Sequence, residues 1–236
     1  AHTNFERDNL VSKGIESSKI KVIASSHLND DDFISIAEQA SNEFKDTVTK
    51  TRKQYGISDS SPVALFIGSK SIEKGTINLI KAWPKVLENI PAAKLIIAGL
   101  STKSWVEAKK NYDLNQIIEL EYIKDKQKTD LLALSNLVVI PSKNESFGMV
   151  ILEAWAKAKP VIGGPAGATR ELIADGVDGY TVEFNDIDNL AKKITLLFSD
   201  PVKANSFGEA GQKKARLYNE KDLVTKTIEL YTDAVK

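Results

Sequence analysis

Residues 62–99, PVALFIGSKSIEKGTINLIKAWPKVLENIPAAKLIIAG, decide the fold class of this chain. The apolar run Val63–Ile67 ends at Gly68, an amphipathic stretch follows over residues 77–90, and a second apolar run covers Lys94–Ala98. Short continuous apolar runs are typical of strands buried on both faces, and an apolar period of about 3.6 residues is typical of a helix. The stretch therefore predicts two parallel strands joined by a helix.

The same alternation continues to the end of the chain. Four further apolar runs bounded by Gly or Pro are predicted as strands, at residues 117–123, 137–140, 160–162 and 179–184. Helical patterns cover residues 147–158, 201–217 and 220–234. Because strands that alternate with helices form parallel sheets, we predict an α/β fold. Its sheet is doubly wound, mostly parallel and Rossmann-like, with helices on both faces.

The first sixty residues follow a different pattern. The predicted elements are a helix over residues 5–13, a strand over residues 19–24 and a long charged helix over residues 32–55 that ends at Gly56. The chain begins with Ala1, and its only methionine is Met149, so we expect a fragment of a longer protein.

Composition excludes several classes of protein. The chain has 32 Lys and Arg residues and 32 Asp and Glu residues, so its formal net charge is zero, which argues against nucleic-acid binding through counterion release. It has no cysteine, and therefore no disulfide and no thiolate metal ligand. None of its apolar runs approaches the ~18 residues of a membrane span.

Ligands of open parallel sheets bind at the carboxyl ends of the strands, so the turns after the strands are candidate sites. The turn after the first strand covers residues 68–76, and its Lys74 precedes Gly75, which is not the order of a Walker A phosphate loop. We predict that this backbone approaches a ligand closely and that Lys74 places a positive charge beside a phosphate. The alternative is an exposed lysine before a helix.

The turn after the fourth strand carries two glutamates. Ser146 is placed as the N-cap of the next helix, and Gly148 in its first turn is a poor helix former, which indicates close approach of a ligand. Glu145 precedes the helix, and Glu153 lies in an apolar run, where a buried carboxylate needs donors such as sugar or ribose hydroxyls. Alternatively, Glu145 favours the helix dipole and Glu153 is a half-exposed surface acid.

Two further turns are weaker candidates. Gly163, Gly164 and Gly167 follow the fifth strand and form either an anion-binding nest of N–H groups or a flexible connection. Tyr122 and Ile123 end the third predicted strand, where extended backbone can pair with the edge of a base. We expect Lys74, Glu145, Glu153 and several peptide N–H groups to converge in one crevice at the top of the sheet.

Taken together, these turns resemble the C-terminal, donor-binding half of GT-B glycosyltransferases, specifically the retaining glycosyltransferase family 4. The resemblance covers nearly all of residues 62–236, and its specific part runs from Glu145 through Ser146-Phe147-Gly148 to Glu153. Residues 10–23 also resemble the family segment that joins the two halves of the enzyme.

The resemblance implies a role for each matching residue. Lys74 would neutralise the diphosphate of a nucleotide sugar, Glu145 would bind hydroxyls of the transferred sugar, and Glu153 would hold the ribose. Lys74 and Glu145 are the implied catalytic residues. The other implied contacts of the donor are Gly68, Ser69, Tyr122, Ile123, Ser146, Phe147, Gly148, Met149, Gly167 and Ala168. No metal site is implied, and no cofactor other than the nucleotide-diphosphate sugar, which is a substrate.

The resemblance also divides the chain. Residues 1–60 would be an interdomain segment, a remnant of the N-terminal half that packs on the domain, and residues 61–236 would be the donor-binding domain. The whole protein would be a retaining glycosyltransferase of the hexosyltransferase type. Its acceptor-binding half is expected to be missing here, so this fragment alone is expected to be inactive. We expect a cytoplasmic protein that contacts a membrane only through the missing half, if at all.

One departure from the family leaves an alternative open. Family members usually carry Arg directly after the first Gly of the Lys74 turn, whereas this chain has Ser69. Lys70 follows it, but its side chain should point in a different direction. The missing cation favours, as the alternative, a non-catalytic glycosyltransferase-like scaffold or partner domain.

A third interpretation is an unrelated doubly wound binding or signalling domain. It rests on Asp30-Asp31-Asp32, a run similar to a receiver-type metal site, although the run is better placed to cap a helix from Phe33 onward. His2 and His27 are expected to be ordinary surface residues.

Overall fold

The computed structural model describes residues 1–24, 26–165 and 167–235. Within them, a six-stranded parallel sheet has the strand order β3-β2-β1-β4-β5-β6, which confirms the predicted fold class. The strands are β1 (Val63–Ile67), β2 (Lys94–Ala98), β3 (Ile117–Leu120), β4 (Leu137–Ile140), β5 (Val161–Gly163) and β6 (Gly179–Thr181).

Two strands are shorter than predicted because their neighbours end first. The pairing of β3 with β2 stops at Leu120, opposite Ala98, and no other strand in the described part of the chain pairs with β3. The pairing of β6 follows the three residues of β5 and stops at Thr181. An apolar run shows where a strand can form, but the length of the adjacent strand limits how far its hydrogen bonds continue.

The strand order reverses between β1 and β4, and this point positions the candidate site. On one side β1 pairs with β2, and on the other side Ala64 and Leu65 lie opposite Leu137 and Val138 of β4. The turns after β1 and β4 therefore leave the same edge of the sheet as neighbours. Open parallel sheets bind their ligands at such a switch point.

Helices cover both faces of the sheet. They are α1 (Asn4–Ser12), α2 (Ile36–Ala40), α3 (Asn42–Gln54), α4 (Thr76–Asn89), α5 (Lys103–Ala108), α6 (Asp125–Leu134), α7 (Met149–Ala156), α8 (Gly167–Leu172), α9 (Ile187–Ser199), α10 (Pro201–Ala215) and α11 (Glu220–Ala234). Right-handed crossovers place α4 and α5 on one face and α6 and α7 on the other. On these faces α4 packs against α9, and α7 packs against α10. The predicted closing helices are confirmed as α10 and α11.

The predicted long helix over residues 32–55 is wrong, because serines interrupt it. Ser35 Oγ accepts a hydrogen bond from the Glu38 amide and caps α2, and Ser41 Oγ accepts one from the Phe44 amide and caps α3. A serine hydroxyl that binds the backbone in this way begins a new helix. The end of α3 before Gly56 is as predicted, with Gly56 at a φ of +64°.

The predicted strand over residues 19–24 is also wrong. A short 3-10 turn covers Ser17–Lys19, and the residues from Ile20 to Ala24 belong to no strand and pair with no described strand. Residues of this segment exchange hydrogen bonds with Ala1 instead, whose carbonyl accepts from the Ile23 amide and whose amino group donates to the Lys21 carbonyl. β-branched residues make a strand only where a neighbouring strand is available.

Part of the N-terminal segment belongs to the core. Leu28, Phe33 and Ile57 are buried together with the strands, and the Ile34 amide donates to the Ala156 carbonyl at the end of α7. This packing agrees with a segment that lies on the domain, while the division at residues 60 and 61 stays a prediction. None of the helices in the described ranges is long and apolar enough to cross a membrane.

Candidate functional site

Two turns meet at the switch point because glycine lets their backbones touch. Gly75 has a φ of +73°, and a Cβ there would lie 2.1 Å from the Pro141 carbonyl oxygen, too close for any other residue. The Lys143 amide donates to the Glu73 carbonyl at 2.7 Å and joins the two turns a second time. The turns after β1 and β4 therefore form one continuous rim.

Each turn contributes one charged side chain to this rim. Lys74 Nζ donates to Glu145 Oε2 at 2.8 Å, and Ser142 Oγ donates to the same oxygen at 3.3 Å. The Lys74 and Glu145 side chains are 30% and 12% exposed and line a cavity of about 140 Å³. The structure thus brings together the two predicted catalytic residues, in an ion pair that an incoming anion can exchange.

The same cavity meets the first residues of α7. This helix begins at Met149, and Gly148 at its N-cap has a φ of +89°. The predicted cap at Ser146 is therefore wrong: left-handed backbone at Gly148 places Ser146 in an exposed turn. No side chain caps α7, and the Phe147, Gly148 and Met149 amides donate to no acceptor within the described ranges. These amides give the cavity an end that favours anions.

Gly68 and Ser69 lie at the same rim, but Lys70 does not. Gly68 lines the cavity, and Ser69 is exposed. Lys70 is fully buried, and its Nζ lies 3.0 Å from Glu119 Oε1 and 3.0 Å from Glu121 Oε1. This confirms the prediction that the Lys70 side chain points in a different direction from an arginine at position 69. Its ammonium therefore does not replace the missing cation.

Lys70 is held by a charged cluster that was not predicted from the sequence. Glu119 also accepts hydrogen bonds from Lys109 Nζ at 2.7 Å and from Trp105 Nε1 at 2.8 Å. Burial raises the pKa of Glu119, but the hydrogen bonds from Lys109, Trp105 and Lys70 outweigh it and lower that pKa to about 2. The sequence feature that could have indicated this cluster is the alternation of Glu119 and Glu121 in an otherwise apolar predicted strand.

Glu153 does not share the cavity of Lys74 and Glu145. It lines a second hollow, of about 440 Å³, together with residues of α6 and of the N-terminal segment. The expectation of a single crevice is therefore wrong for this residue. Because α7 starts only after Gly148, Glu153 lies one helical turn inside it and projects sideways toward α6.

Two residues that the sequence analysis did not connect to the site hold Glu153. His27 Nε2 donates to Glu153 Oε1 at 3.0 Å, and Lys128 Nζ donates to the same oxygen at 2.8 Å. Glu153 itself is only 8% exposed. His27 is a surface residue as expected, with a side chain that is 59% exposed, and it also contacts Glu153. No local signal marks either partner, because 126 and 25 positions separate them from Glu153 along the chain.

The predicted base contacts lie just beyond β3. Tyr122 is 76% exposed and Ile123 is partly buried, both in the connection to α6. The amide and carbonyl groups of Ile123 form no hydrogen bond with any other described residue. This backbone is therefore available to a ligand, which is what pairing with a base requires.

The glycine turn after β5 is covered by the N-terminal helix. A Cβ at Gly167 would lie 2.2 Å from Cγ of Phe5, so the Phe5 ring packs directly on that residue. Glu171 accepts hydrogen bonds from the Asn4 and Phe5 amides. Ala168 is buried, and Ala166 lies outside the described residues. Close packing against α1 thus explains the glycine at position 167 without a ligand.

The aspartates at positions 30–32 form a 3-10 turn that is capped by Asn29. Across the described ranges, no three potential His, Asp or Glu ligands gather as a metal-binding group. The observations that point to a site are therefore the switch-point cavity with Lys74 and Glu145, and the neighbouring hollow with Glu153.

The sheet order and the switch-point cavity define a Rossmann-like α/β domain of the kind found in GT-B glycosyltransferases. The profile of the family "Glycosyl transferases group 1" matches residues 47–214, and the chain belongs to this family.

Curated relatives and a solved structure agree with this assignment. An N-acetyl-alpha-D-glucosaminyl L-malate synthase of Bacillus anthracis is 28% identical over 195 residues, which cover 82% of this chain and 51% of that protein. A GDP-mannose-dependent monoacylated alpha-(1-6)-phosphatidylinositol monomannoside mannosyltransferase of Corynebacterium glutamicum is 30% identical over 170 residues, or 69% of this chain and 44% of that protein. The chain thus spans about half the length of these relatives.

The structural comparison covers almost the whole chain. The crystal structure of Anabaena HepE in complex with UDP-glucose has a TM-score of 0.85 and 22% sequence identity, and it covers 99% of this chain and 63% of that one. At this level of identity the likeness shows a shared fold.

Proposed function

We propose that residues 61–236 bind a nucleotide-diphosphate sugar at the switch point, and that the whole protein is a retaining glycosyltransferase of family 4 and of the hexosyltransferase type. The observation that carries this proposal is the Lys74–Glu145 pair beside the uncapped amides of α7. A cation and free N–H groups suit a diphosphate, and a neighbouring carboxylate suits sugar hydroxyls.

The geometry agrees with the chemistry of glycosyl transfer. When the bond between the sugar and the diphosphate breaks, negative charge develops on the departing phosphate oxygens. Lys74, Gly148 and Met149 line the cavity where this charge would form, and fixed donors there lower the barrier. Glu145, once its lysine turns to the phosphate, is free to accept hydrogen bonds from the transferred sugar.

Similar proteins support the class of donor. The corynebacterial relative is named for its dependence on GDP-mannose, and the HepE crystal contains UDP-glucose. Both ligands are sugars joined to a nucleoside diphosphate, although base and sugar differ. In this chain the base would meet the free backbone of Ile123 and the ribose would meet Glu153. Gly167 and Ala168 would contact the donor, as the resemblance implies, only after α1 moves away from them.

The remaining parts of the proposal concern the whole protein. The acceptor would bind to an N-terminal half, and residues 1–60 would connect that half to the donor domain. This chain alone would then bind the donor without transferring its sugar. The cytoplasmic location, and membrane contact through the N-terminal half, belong to the same proposal.

Isothermal titration of this chain with UDP, GDP, UDP-glucose and GDP-mannose tests donor binding. We expect at least one of these ligands to bind, and Lys74→Met to weaken its binding about tenfold, because one charge-assisted contact to phosphate is lost. Lys143→Met is the matched control, since this neighbouring ammonium lies over the Phe184 ring rather than in the cavity. Absence of heat with all four ligands at millimolar concentration would contradict the proposal.

A second candidate function is a non-catalytic scaffold, and one observation favours it. Ser69 carries no charge, and the cation that follows it, Lys70, is paired with Glu119 and Glu121. Transfer assays on the longer protein, with and without Ser69→Arg, separate the two candidates. Efficient transfer by the Ser69 protein supports the enzyme, whereas transfer that appears only with Ser69→Arg supports the scaffold.

A further inference from the structure

Glu153 is a buried carboxylate whose two oxygens are used unequally. Oε1 accepts hydrogen bonds from His27 Nε2 and Lys128 Nζ. Oε2 accepts none from any residue in the described part of the chain. A carboxylate has about four acceptor positions, so half of its capacity is left over. Oε2 therefore keeps acceptor positions that solvent or a ligand group can fill, on a residue that is only 8% exposed.

The partners of Oε1 come from two different segments, which fixes the carboxylate in space. Lys128 lies in the first turns of α6, and His27 lies in the segment that leads from α1 to the core. Two donors on one oxygen hold the carboxylate plane more firmly than one donor does. The positive charge of Lys128 also stabilises the negative charge of Glu153, which burial alone would destabilise.

The hollow beside this carboxylate has room for a ligand group. Its volume is about 440 Å³, and its lining includes Asp125 and Lys128 of α6 besides Glu153 and His27. Ile123, with its free backbone groups, lies two residues before Asp125. A nucleoside with its base near Ile123 can therefore present its sugar hydroxyls to this hollow.

We propose that Lys128 is a positioning residue that, with the help of His27, holds Glu153 by Oε1 and presents Oε2 to the ribose 2′- and 3′-hydroxyls of the donor nucleotide. The inference rests on the proposed function and adds two residues to it. Lys128 acts through Glu153 and does not touch the phosphates. Its removal lowers affinity for the ribose and leaves affinity for the diphosphate unchanged.

The test compares ligands with and without the hydroxyls. Titration uses the tighter of UDP and GDP, its 2′,3′-dideoxy form and inorganic pyrophosphate, against the wild-type chain and Lys128→Met. We expect Lys128→Met to weaken binding of the ribonucleotide about tenfold, the size expected for one hydrogen bond to a charged group. Binding of the dideoxynucleotide and of pyrophosphate should change less than about twofold. Lys128→Arg should restore most of the ribonucleotide affinity.

Lys126→Met is the matched control, because Lys126 lies on the same helix, is 84% exposed and pairs with Asp130 rather than with Glu153. If Lys128→Met proves unstable, Glu153→Gln and the double variant Lys128→Met/Glu153→Gln replace it. We expect both to lose the same affinity for the ribonucleotide, since Lys128 acts only through Glu153.

The outcomes separate the two proposals. An equal loss for the ribonucleotide and the dideoxynucleotide overturns the positioning role and leaves donor binding intact. Additive losses in Lys128→Met and Glu153→Gln also overturn it, because they place Lys128 on the ligand directly. If the wild-type chain binds neither UDP nor GDP, the proposed function fails and this inference fails with it.

Discussion

Lys70 and Lys74 lie on one turn, four positions apart, and end in opposite environments. Lys70 is fully buried, and its ammonium contacts both Glu119 and Glu121. Lys74 is 30% exposed and has Glu145 as its carboxylate partner. The two lysines therefore differ in how many partners satisfy them and in how much water reaches them.

This difference separates a structural charge from a charge that is available to a ligand. A fully buried ammonium that is held by two carboxylates cannot move away without leaving charges unpaired. An ammonium with one partner at the rim of a cavity can exchange that partner for a phosphate at little cost. Both residues are lysines of the same turn, so the surroundings of each side chain decide its role.

The largest expected effect is on stability, from Lys70→Met. We expect the free energy of unfolding to fall by about 3 kcal/mol, because Glu119 loses a partner inside the cluster. Lys74→Met should change it by less than about 1 kcal/mol. Urea unfolding of the two variants, followed by circular dichroism, measures both values. Equal losses would remove the distinction between the two lysines.

The second prediction concerns pH. Because the folded pKa of Glu119 is about 2 and its ordinary value is 4.5, its contribution to stability is fully present above pH 4.5 and is lost as the pH falls toward 2. Glu119→Gln should flatten the stability curve in this range, by about 2 kcal/mol after allowance for solvent screening. Glu145→Gln is the control variant, because it removes a carboxylate that lies outside the Glu119 cluster. A curve that stays equally steep without Glu119 would assign the acid sensitivity to other carboxylates.

The third prediction sharpens the role assigned to Lys74. Glu145→Gln frees Lys74 from its partner, so binding of a nucleoside diphosphate should become up to about threefold tighter. The same variant of the longer protein should lose transfer activity, because the transferred sugar loses a hydrogen-bond acceptor. Titration and a transfer assay measure the two effects. Weaker diphosphate binding in Glu145→Gln would show that the carboxylate contributes to the phosphate site.

The smallest effect is the coupling between Lys74 and Glu145. A double-mutant cycle with Lys74→Met and Glu145→Gln should give a coupling energy of about 0.5 kcal/mol that decreases with added salt. The matching cycle for Lys70 and Glu119 should give a larger value that depends less on salt. A coupling above about 2 kcal/mol for Lys74 and Glu145 would make that pair structural as well.

Parts of the site were predictable from the sequence because the signals are local. The runs Val63–Ile67 and Leu137–Ile140 mark buried strands, and the turns after them carry Lys74 and Glu145. Parallel strands end at the same edge, so the proximity of these two residues followed from strand assignment alone. The N-cap at Ser146 did not follow, because the left-handed backbone at Gly148 depends on how α7 packs against its neighbours.

The sequence by itself determined the parallel sheet, its flanking helices and the two turns that meet at the candidate site. Only the tertiary structure decided which carboxylates hold Lys70, and that Glu153 turns away toward Lys128 and His27. The physical reason is the distance along the chain over which each effect acts. Apolar periodicity and turn chemistry act over a few residues, whereas the partner of a buried charge is chosen among side chains that folding brings together from distant positions.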